Sequence, residues 1–408
     1  MKAQNKFLAA VAMVAVVAAC GGSTATTAPS GAGPVVNLTA DSFSNPDFSA
    51  MAQLTGTVAA SSGKIAVILP DATTSGRYVA YDDPYLRKAF TTAGYADSDI
   101  KIDNAQGVAA TEISLAQADI ASGVKVLIVD PLDGPTGKAI QTAAQTAGVT
   151  MISYDRATFQ GASTYYVSFN NVNVGKAIGA GVQQCVKDWA IASPKVYVLN
   201  GGQDTDPNAI DFARGYNSVI WGKDAATVDA GATNADGWTL VKEELAPGWD
   251  NAKGGTIFSA AFTANPTINV TVEANDGLAG AVIEDLKKAG IKAKTIPTAG
   301  QDATLQGMEY VLQDWQCGSV YKPIYMEAQA TVALATYLRA GQTPPAAFLN
   351  GKTTDPTNSA VTEPAVLLTP VWVNKANMEA TVIKDKFVPV ADLCTAVGAD
   401  VCTAAGIS

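Results

Sequence analysis

Histidine is absent from all 408 residues. With it go the commonest general base and the commonest zinc ligand. Serine–histidine and cysteine–histidine nucleophilic catalysis are excluded, as is any histidine-ligated metal site. Carboxylate-only chemistry of the kind that hydrolyses glycosides passes this filter. Basic charge is also scarce: 27 Lys and Arg stand against 37 Asp and Glu, a net charge of −10. With no dense cationic run to override that balance, polyanions are repelled and nucleic acid is not a partner. Long apolar runs are missing too. Residues 7–19 make thirteen apolar positions, short of the ~20 that a membrane-spanning helix needs, and no later stretch is long enough.

That run has the layout of an export leader instead. Lys2 and Lys6 precede it, and small residues close it before Cys20, so residues 1–19 read as a signal peptide. The ending Val17-Ala18-Ala19-Cys20 looks like a bacterial lipobox, in which the cysteine is lipidated and becomes the mature N-terminus. This puts the body of the chain outside the cytoplasm on a lipid anchor. Residues 20–63, rich in Gly, Ser, Thr, Ala and Pro, then read as a flexible tether. Mild apolarity around Leu54 is the one sign of docking there. Five cysteines leave four once Cys20 is lipidated, and four allow three pairings. Cys394 and Cys402 lie close together near the C-terminus and are expected to pair. Cys185 shares an apolar helix face with Val182, Val186 and Trp189, so a bridge to Cys317 and a buried free thiol both stay open.

From Lys64 the pattern changes. Residues 65–69 form a continuous apolar run, as a strand covered on both faces requires. Leu86, Ala89, Phe90 and Ala93 follow at helical spacing. Further strands are expected at 126–129, 151–154, 165–169, 196–199, 268–272 and 296–299, and helices carry Ile140 to Ala147, Val174 to Cys185 and Leu278 to Ala289. Strand–helix alternation with short buried strands predicts an α/β fold of parallel sheets, and the length favours two lobes over one very large sheet. In open parallel sheets ligands bind beyond the carboxyl ends of the strands. Polar clusters follow the strands repeatedly: Asp71 to Tyr78, Asp130, Asp155-Arg156, Asn200 to Asn208, Asn275-Asp276 and Gln301-Asp302. Any one of them is an ordinary turn; their recurrence in both halves points to a shared site.

Two motifs fall away. Asp204-Thr205-Asp206-Pro207-Asn208 opens like a calcium loop, but Ala209 replaces the loop glycine and Gly215 stands where a bidentate Glu should close it. Gly351-Lys352-Thr353 lacks the upstream glycine of a phosphate-binding loop. No metal or cofactor is expected.

At its polar clusters the chain resembles the bacterial periplasmic sugar-binding proteins of ABC transporters, in particular the xylose-binding and multiple-sugar-binding members of the ribose-type group. The resemblance runs from about Lys64 to the 380s. It rests on Ser75-Gly76-Arg77-Tyr78, Ile152-Ser153-Tyr154-Asp155-Arg156 and Tyr165-Tyr166-Val167-Ser168-Phe169-Asn170-Asn171. It continues through Gly201-Gly202, Asp206-Pro207-Asn208-Ala209, Gly248-Trp249-Asp250, Asn275-Asp276-Gly277, Gly300-Gln301-Asp302-Ala303, Val320-Tyr321-Lys322-Pro323 and Leu367-Leu368-Thr369-Pro370. The family implies a type I periplasmic binding protein fold: two Rossmann-like lobes joined by three crossing strands, here near Phe169, Tyr321 and Leu368. Residues 64–168 plus 322–367 would form the N-terminal lobe, and 169–321 plus 368–408 the C-terminal lobe. The family's sugar contacts map onto Arg77, Tyr78, Asp130, Asp155 and Arg156 from the first lobe. From the second come Asn208, Trp249, Asn275, Asp302 and Lys322; Arg214 falls a residue or two out of register and is left aside.

The chemistry of that set agrees. Asp, Asn, Arg and Lys supply directional or charge-assisted hydrogen bonds to sugar hydroxyls, while Tyr78 and Trp249 cover the apolar ring faces. The resemblance implies a monomeric lipoprotein that captures an aldopyranose such as xylose, glucose or galactose and presents it to an ABC permease. A chemoreceptor or sensor kinase is a further possible partner, and a nucleoside or furanose signal the alternative ligand. A glycosidase using Asp155 and Asp302 is disfavoured, because each acid has a cationic or amide neighbour that keeps it ionised. Repressors that share the two-lobed core carry a helix-turn-helix where this chain has its leader and tether.

Overall fold

The computed structural model describes residues 33, 35–72, 77–159 and 164–407. The expected signal peptide, Cys20 with its lipidation, and Ser75-Gly76 lie outside them. Short turns of helix at Ala40–Phe43 and Ser49–Leu54 lead into α1 (Thr55–Ala59). The first half then alternates through β1 (Ile65–Leu69), α2 (Asp83–Ala93), β2 (Ile100–Asn104) and α3 (Ala109–Ala121). It continues with β3 (Val126–Val129), α4 (Gly134–Thr146), β4 (Thr150–Tyr154) and β5 (Thr164–Phe169). A single π-turn, Tyr78–Asp82, feeds α2.

The second half repeats the alternation. It runs α5 (Asn171–Asp188), β6 (Lys195–Gly202), α6 (Pro207–Ile220), β7 (Thr239–Pro247) and α7 (Asn251–Ala264). Next come β8 (Val270–Glu273), α8 (Asp276–Lys288), β9 (Thr298–Gln301), α9 (Leu305–Leu312) and β10 (Gln316–Tyr321). The chain ends with α10 (Ile324–Arg339), β11 (Gly351–Thr354), β12 (Thr362–Leu368), β13 (Val371–Val373), α11 (Val390–Val397) and α12 (Ala399–Ala404).

One sheet has the order β11-β12-β5-β4-β3-β1-β2 and is parallel except for β11. The other strands form β7-β6-β8 and β13-β10-β9. These two groups adjoin: Thr271 N–H donates to the Pro297 carbonyl at 2.9 Å, and the Glu273 carboxylate takes the Ala299 N–H at 3.0 Å. Every residue of β1 and β3 is buried, which is why both read as unbroken apolar runs. The chain passes between the two halves after Phe169, after Tyr321 and after Leu368, the three crossings the resemblance implied. Both disulfides are formed. Cys185–Cys317 ties α5 to β10 across 132 residues, and Cys394–Cys402 ties α11 to α12 across 8.

The tether expectation fails over the described part of residues 20–63. Leu38, Phe43, Phe48, Met51 and Leu54 are buried in the main core. The segment is also bonded to α10: Gln329 Nε2 donates to the Phe43 and Asn45 carbonyls, and the Tyr337 hydroxyl donates to the Val36 carbonyl at 2.7 Å. Composition averaged over the whole stretch hides these few, well-spaced apolar residues. The mild apolarity near Leu54 was the true signal.

Candidate functional site

The loops that leave the carboxyl ends of the strands converge between the two halves. Three of them end in a capped helix: Asp133 caps α4, Asp206 caps α6 and Asn275 caps α8, each side chain accepting a backbone N–H of the first turn. Asp206 therefore serves its helix, which accounts for the acidic run before it without a metal. Between the loops lies a small, partly open cavity. Arg77, Tyr78, Asp155, Arg156, Asn208, Trp249, Asn275, Asp302 and Lys322 line it, and so do Phe212 and Gln301. Nine of the ten expected residues thus meet in one space. Asp130, the tenth, is fully buried behind Arg156, 3.8 Å from its Nε, and is not part of the lining.

Asp155 is the hub. Its Oδ1 accepts from Arg77 Nη1 at 3.0 Å and lies 3.4 Å from Lys322 Nζ; its Oδ2 accepts from the Tyr78 hydroxyl at 3.2 Å. Burial alone would raise the pKa of Asp155, but the charges of Arg77, Lys322 and Arg156 outweigh it and hold the group well below the usual carboxylate range. Lys322 in turn lies 3.4 Å from Asp302, so one ammonium bridges carboxylates that follow β4 and β9 in separate sheets. Around them, burial raises the Asp130 carboxyl well above its ordinary value, with Arg156 opposing it.

Direct contacts cross the cleft. Asn208 Nδ2 donates to the Asp155 carbonyl at 3.0 Å, and its Oδ1 accepts from Asn171 Nδ2 at 2.8 Å. Both ends of that amide are thus engaged by the protein. Asn171 also donates to the Tyr166 hydroxyl, which donates to the same Asp155 carbonyl at 2.8 Å. On the second half, Trp249 donates from Nε1 to Asp206 at 2.9 Å and stands edge-on to Phe212. Its ring lies so close to β6 that a Cβ on Gly201 would sit 2.1 Å from it, and Gly202 adopts φ +78° directly after. These two glycines are the room in which the indole sits. Asn275 spends its Oδ1 on the Leu278 N–H.

Several residues escaped the sequence reading. Gln301 precedes Asp302 in a recognised cluster, and Phe212 lies one helical turn past Asn208, so both had a positional signal. Asp82 and Glu327 had none: each is fully buried and reaches the site through Arg77. Arg214 pairs with Asp211 and Asp224 away from the cavity. A second, partly open space adjoins the first, sharing Arg156 and Trp249.

Comparison with known proteins gives a consistent result. The profile of the family described as "Periplasmic binding protein domain" matches residues 65–343. The D-xylose-binding periplasmic protein of Escherichia coli (strain K12) is 31% identical over 287 residues, covering 70% of this chain and 80% of that one. The multiple sugar-binding periplasmic protein SbpA of Azospirillum brasilense is 28% identical over 306 residues, with 72% and 79% covered. Among solved structures, a carbohydrate-transporter solute-binding protein from Chloroflexus aurantiacus in complex with D-glucose superposes with a TM-score of 0.66 at 25% identity. It spans 80% of this chain and 97% of its own. An ABC transporter solute-binding protein from Clostridium phytofermentans with bound β-D-glucose shares the fold at a TM-score of 0.69 and 21% identity, covering 81% and 99%.

Proposed function

The chain belongs to the periplasmic binding protein family, and from that membership we propose that it captures a monosaccharide in the cleft between its halves and delivers it to an ABC importer. The ligand is an aldopyranose such as xylose, glucose or galactose. The observation that carries this reading is the lining of the cavity: three cations, two carboxylates, three amides and three aromatic rings face one space between the halves. Such a set pairs with ring hydroxyls and covers ring faces. A carbohydrate lacking one hydroxyl leaves a buried polar partner unmatched, which is how such a site discriminates. The xylose- and multiple-sugar-binding names of its relatives support the same class.

Binding, not catalysis, is the role. Family members are substrate-binding proteins, and here the two candidate acids, Asp155 and Asp302, share Lys322, while Asp155 is held ionised and has no proton to give. The family works outside the cytoplasm, and among the described residues no helix is long and apolar enough to cross a membrane. We further propose attachment through lipidated Cys20, on the strength of the Val17-Ala18-Ala19-Cys20 motif. A sugar touching both halves favours their closed arrangement through its differential affinity for it.

A thermal-shift screen of pentoses, hexoses and nucleosides, followed by calorimetry on the hits, tests the reading. One or a few aldopyranoses should raise the melting temperature, because a ligand selective for the native state stabilises it. A response to nucleosides alone, or to no carbohydrate at all, would overturn it.

A further inference from the structure

Arg77 meets more carboxylates than one guanidinium can neutralise. Asp82 accepts from Nε at 3.0 Å and from Nη2 at 2.8 Å, and Asp155 accepts from Nη1 at 3.0 Å. Glu327, in the first turn of α10, shares Nη2 at 3.0 Å through its Oε2. Its other oxygen, Oε1, is buried and meets no hydrogen-bond donor among the described residues. An ionised oxygen left bare in that position bears the whole desolvation cost, whereas a neutral carboxyl bears far less.

The surroundings of Glu327 point the same way. The π-turn brings Arg77 and Asp82, β4 and the loop beyond it bring Tyr154 and Asp155, β5 brings Tyr166, and Lys322 comes from beyond β10. Two cations there already face two other carboxyl groups, Asp82 and Asp155, before Glu327 is considered. The α10 N-terminus favours an anion by only about 0.3–1 kcal/mol. Burial dominates and, with Arg77 opposing it and Asp155 adding to it, pushes the Glu327 carboxyl up to about 8.

We propose that Glu327 is a positioning residue of the sugar site: as a neutral carboxyl it steadies Arg77 between Asp82 and Asp155, and when ionised it competes with Asp155 for the guanidinium and loosens the site. This rests on the sugar-binding reading above. A ligand that seals the cleft drives out water and favours the neutral form, so ligand and proton bind together, each strengthening the other by linkage. Affinity therefore falls as the pH rises through the Glu327 transition.

The test is calorimetry of the best sugar from the screen with wild type, Glu327→Ala and Glu327→Gln between about pH 6.5 and 9. Wild-type affinity should drop about five- to tenfold from about pH 7 to 9, the effect of up to one unit of differential protonation. Glu327→Ala should weaken binding about tenfold at pH 7, Glu327→Gln should restore most of that loss, and neither should show the alkaline fall. Parallel pH profiles in all three proteins would overturn the proposal. Wild type alone gives a second reading: binding heats in Tris and in phosphate at about pH 8 should differ by the heat of proton uptake, and equal heats overturn it as well. If no sugar binds at any pH, the sugar reading fails separately. The positioning claim is then read in the ligand-free protein, where Glu327→Gln should flatten the alkaline slope of the melting temperature and an unchanged slope would refute it.

Discussion

Replacing Asp155 by Asn isolates the charge at the centre of the cleft. Asn keeps the side-chain volume and tolerates the left-handed backbone, φ +57°, that this position adopts. What disappears is the negative charge facing Arg77 Nη1 at 3.0 Å and Lys322 Nζ at 3.4 Å. Breaking a buried ion pair by removing one partner costs about 3–5 kcal/mol when the survivor is left uncompensated. Here neither survivor is: Arg77 keeps Asp82, and Lys322 keeps Asp302. The loss in folding stability should therefore stay near the ~1–3 kcal/mol of a single unsatisfied group. Affinity suffers more, because a bound sugar closes the cleft over the altered network and loses its charge-assisted acceptor. A deficit of about 3–4 kcal/mol corresponds to a dissociation constant raised a few hundred- to a thousandfold. Tyr78→Phe is the internal control. It removes one hydroxyl at 3.2 Å from the same ionised carboxylate, worth about 1.5–3 kcal/mol, or about ten- to a hundredfold in affinity. Calorimetry of both variants, with urea denaturation to follow folding, gives the two numbers needed. An Asp155→Asn protein that binds within threefold of wild type, or less affected than Tyr78→Phe, would refute the hub assignment. Acid offers a further check. Because the folded Asp155 titrates below its unfolded value, its contribution to stability is present above about pH 4 and disappears only as the pH falls through the folded value.

Other expectations follow from the same structure. Glu112, Glu273 and Glu363 are pushed up to about 8 and Asp276 to about 7, in each case chiefly by burial, so the folded chain keeps protons that the unfolded chain gives up. Stability should then fall as pH rises from about 4.5 towards 8, and a melting temperature at about pH 8 equal to or above that at about pH 5.5 would contradict it. The Cys185–Cys317 bridge closes a 132-residue loop, so a Cys185→Ser/Cys317→Ser protein should lose about 2–4 kcal/mol in denaturant titration. Phe48→Ala should cost about 3–5 kcal/mol, since the ring is fully buried; a dangling tether would lose nothing measurable. Asn208→Ala removes the amide that joins the two halves and should weaken sugar binding about tenfold, with the change in the dissociation rate; an unchanged off-rate would remove that role.

The sequence was most legible where physics leaves one choice. Residues 65–69 and 126–129 could only be strands covered on both faces, and the structure buries every one of them. Helices α2, α4, α5 and α8 stand where their apolar spacing put them, because each buries one face, α4, α5 and α8 against strands and α2 against α10. The strands at β2 and β7 were not legible. They lie at sheet edges, where most residues stay partly exposed, so Ile100–Asn104 and Thr239–Pro247 mix apolar and polar residues without a clean period. The site was read from loop position together with the resemblance, and that combination found the lining. It did not find Glu327, which sits inside a helix whose hydrophobic pattern gives no reason to single out one acid. Nor could it separate Asp130, behind the lining, from its neighbours, since a residue directly after a strand can point into the cleft or back beneath it.

Backbone direction decides that difference, and three lining residues show how. Asp155, Trp249 and Asp302 all adopt left-handed backbone, with φ of +57°, +59° and +92°. For a residue other than glycine this is strained by about 1–3 kcal/mol and persists only where the surroundings impose it. Here the sheets impose it. Asp155 N–H is bonded to the Val167 carbonyl on β5 at 3.1 Å, and Asp302 N–H to the Val320 carbonyl on β10 at 2.8 Å. The ladder therefore continues one bond past each strand's end, while the chain reverses direction at that residue. Both carboxylates lie within 3.4 Å of Lys322 as a result. Trp249 is pinned in a comparable way by its N–H to the Ala246 carbonyl at 3.2 Å and by its indole on Asp206. Glycine at any of the three would relieve the strain, yet it would surrender the side chain that the turn exists to aim.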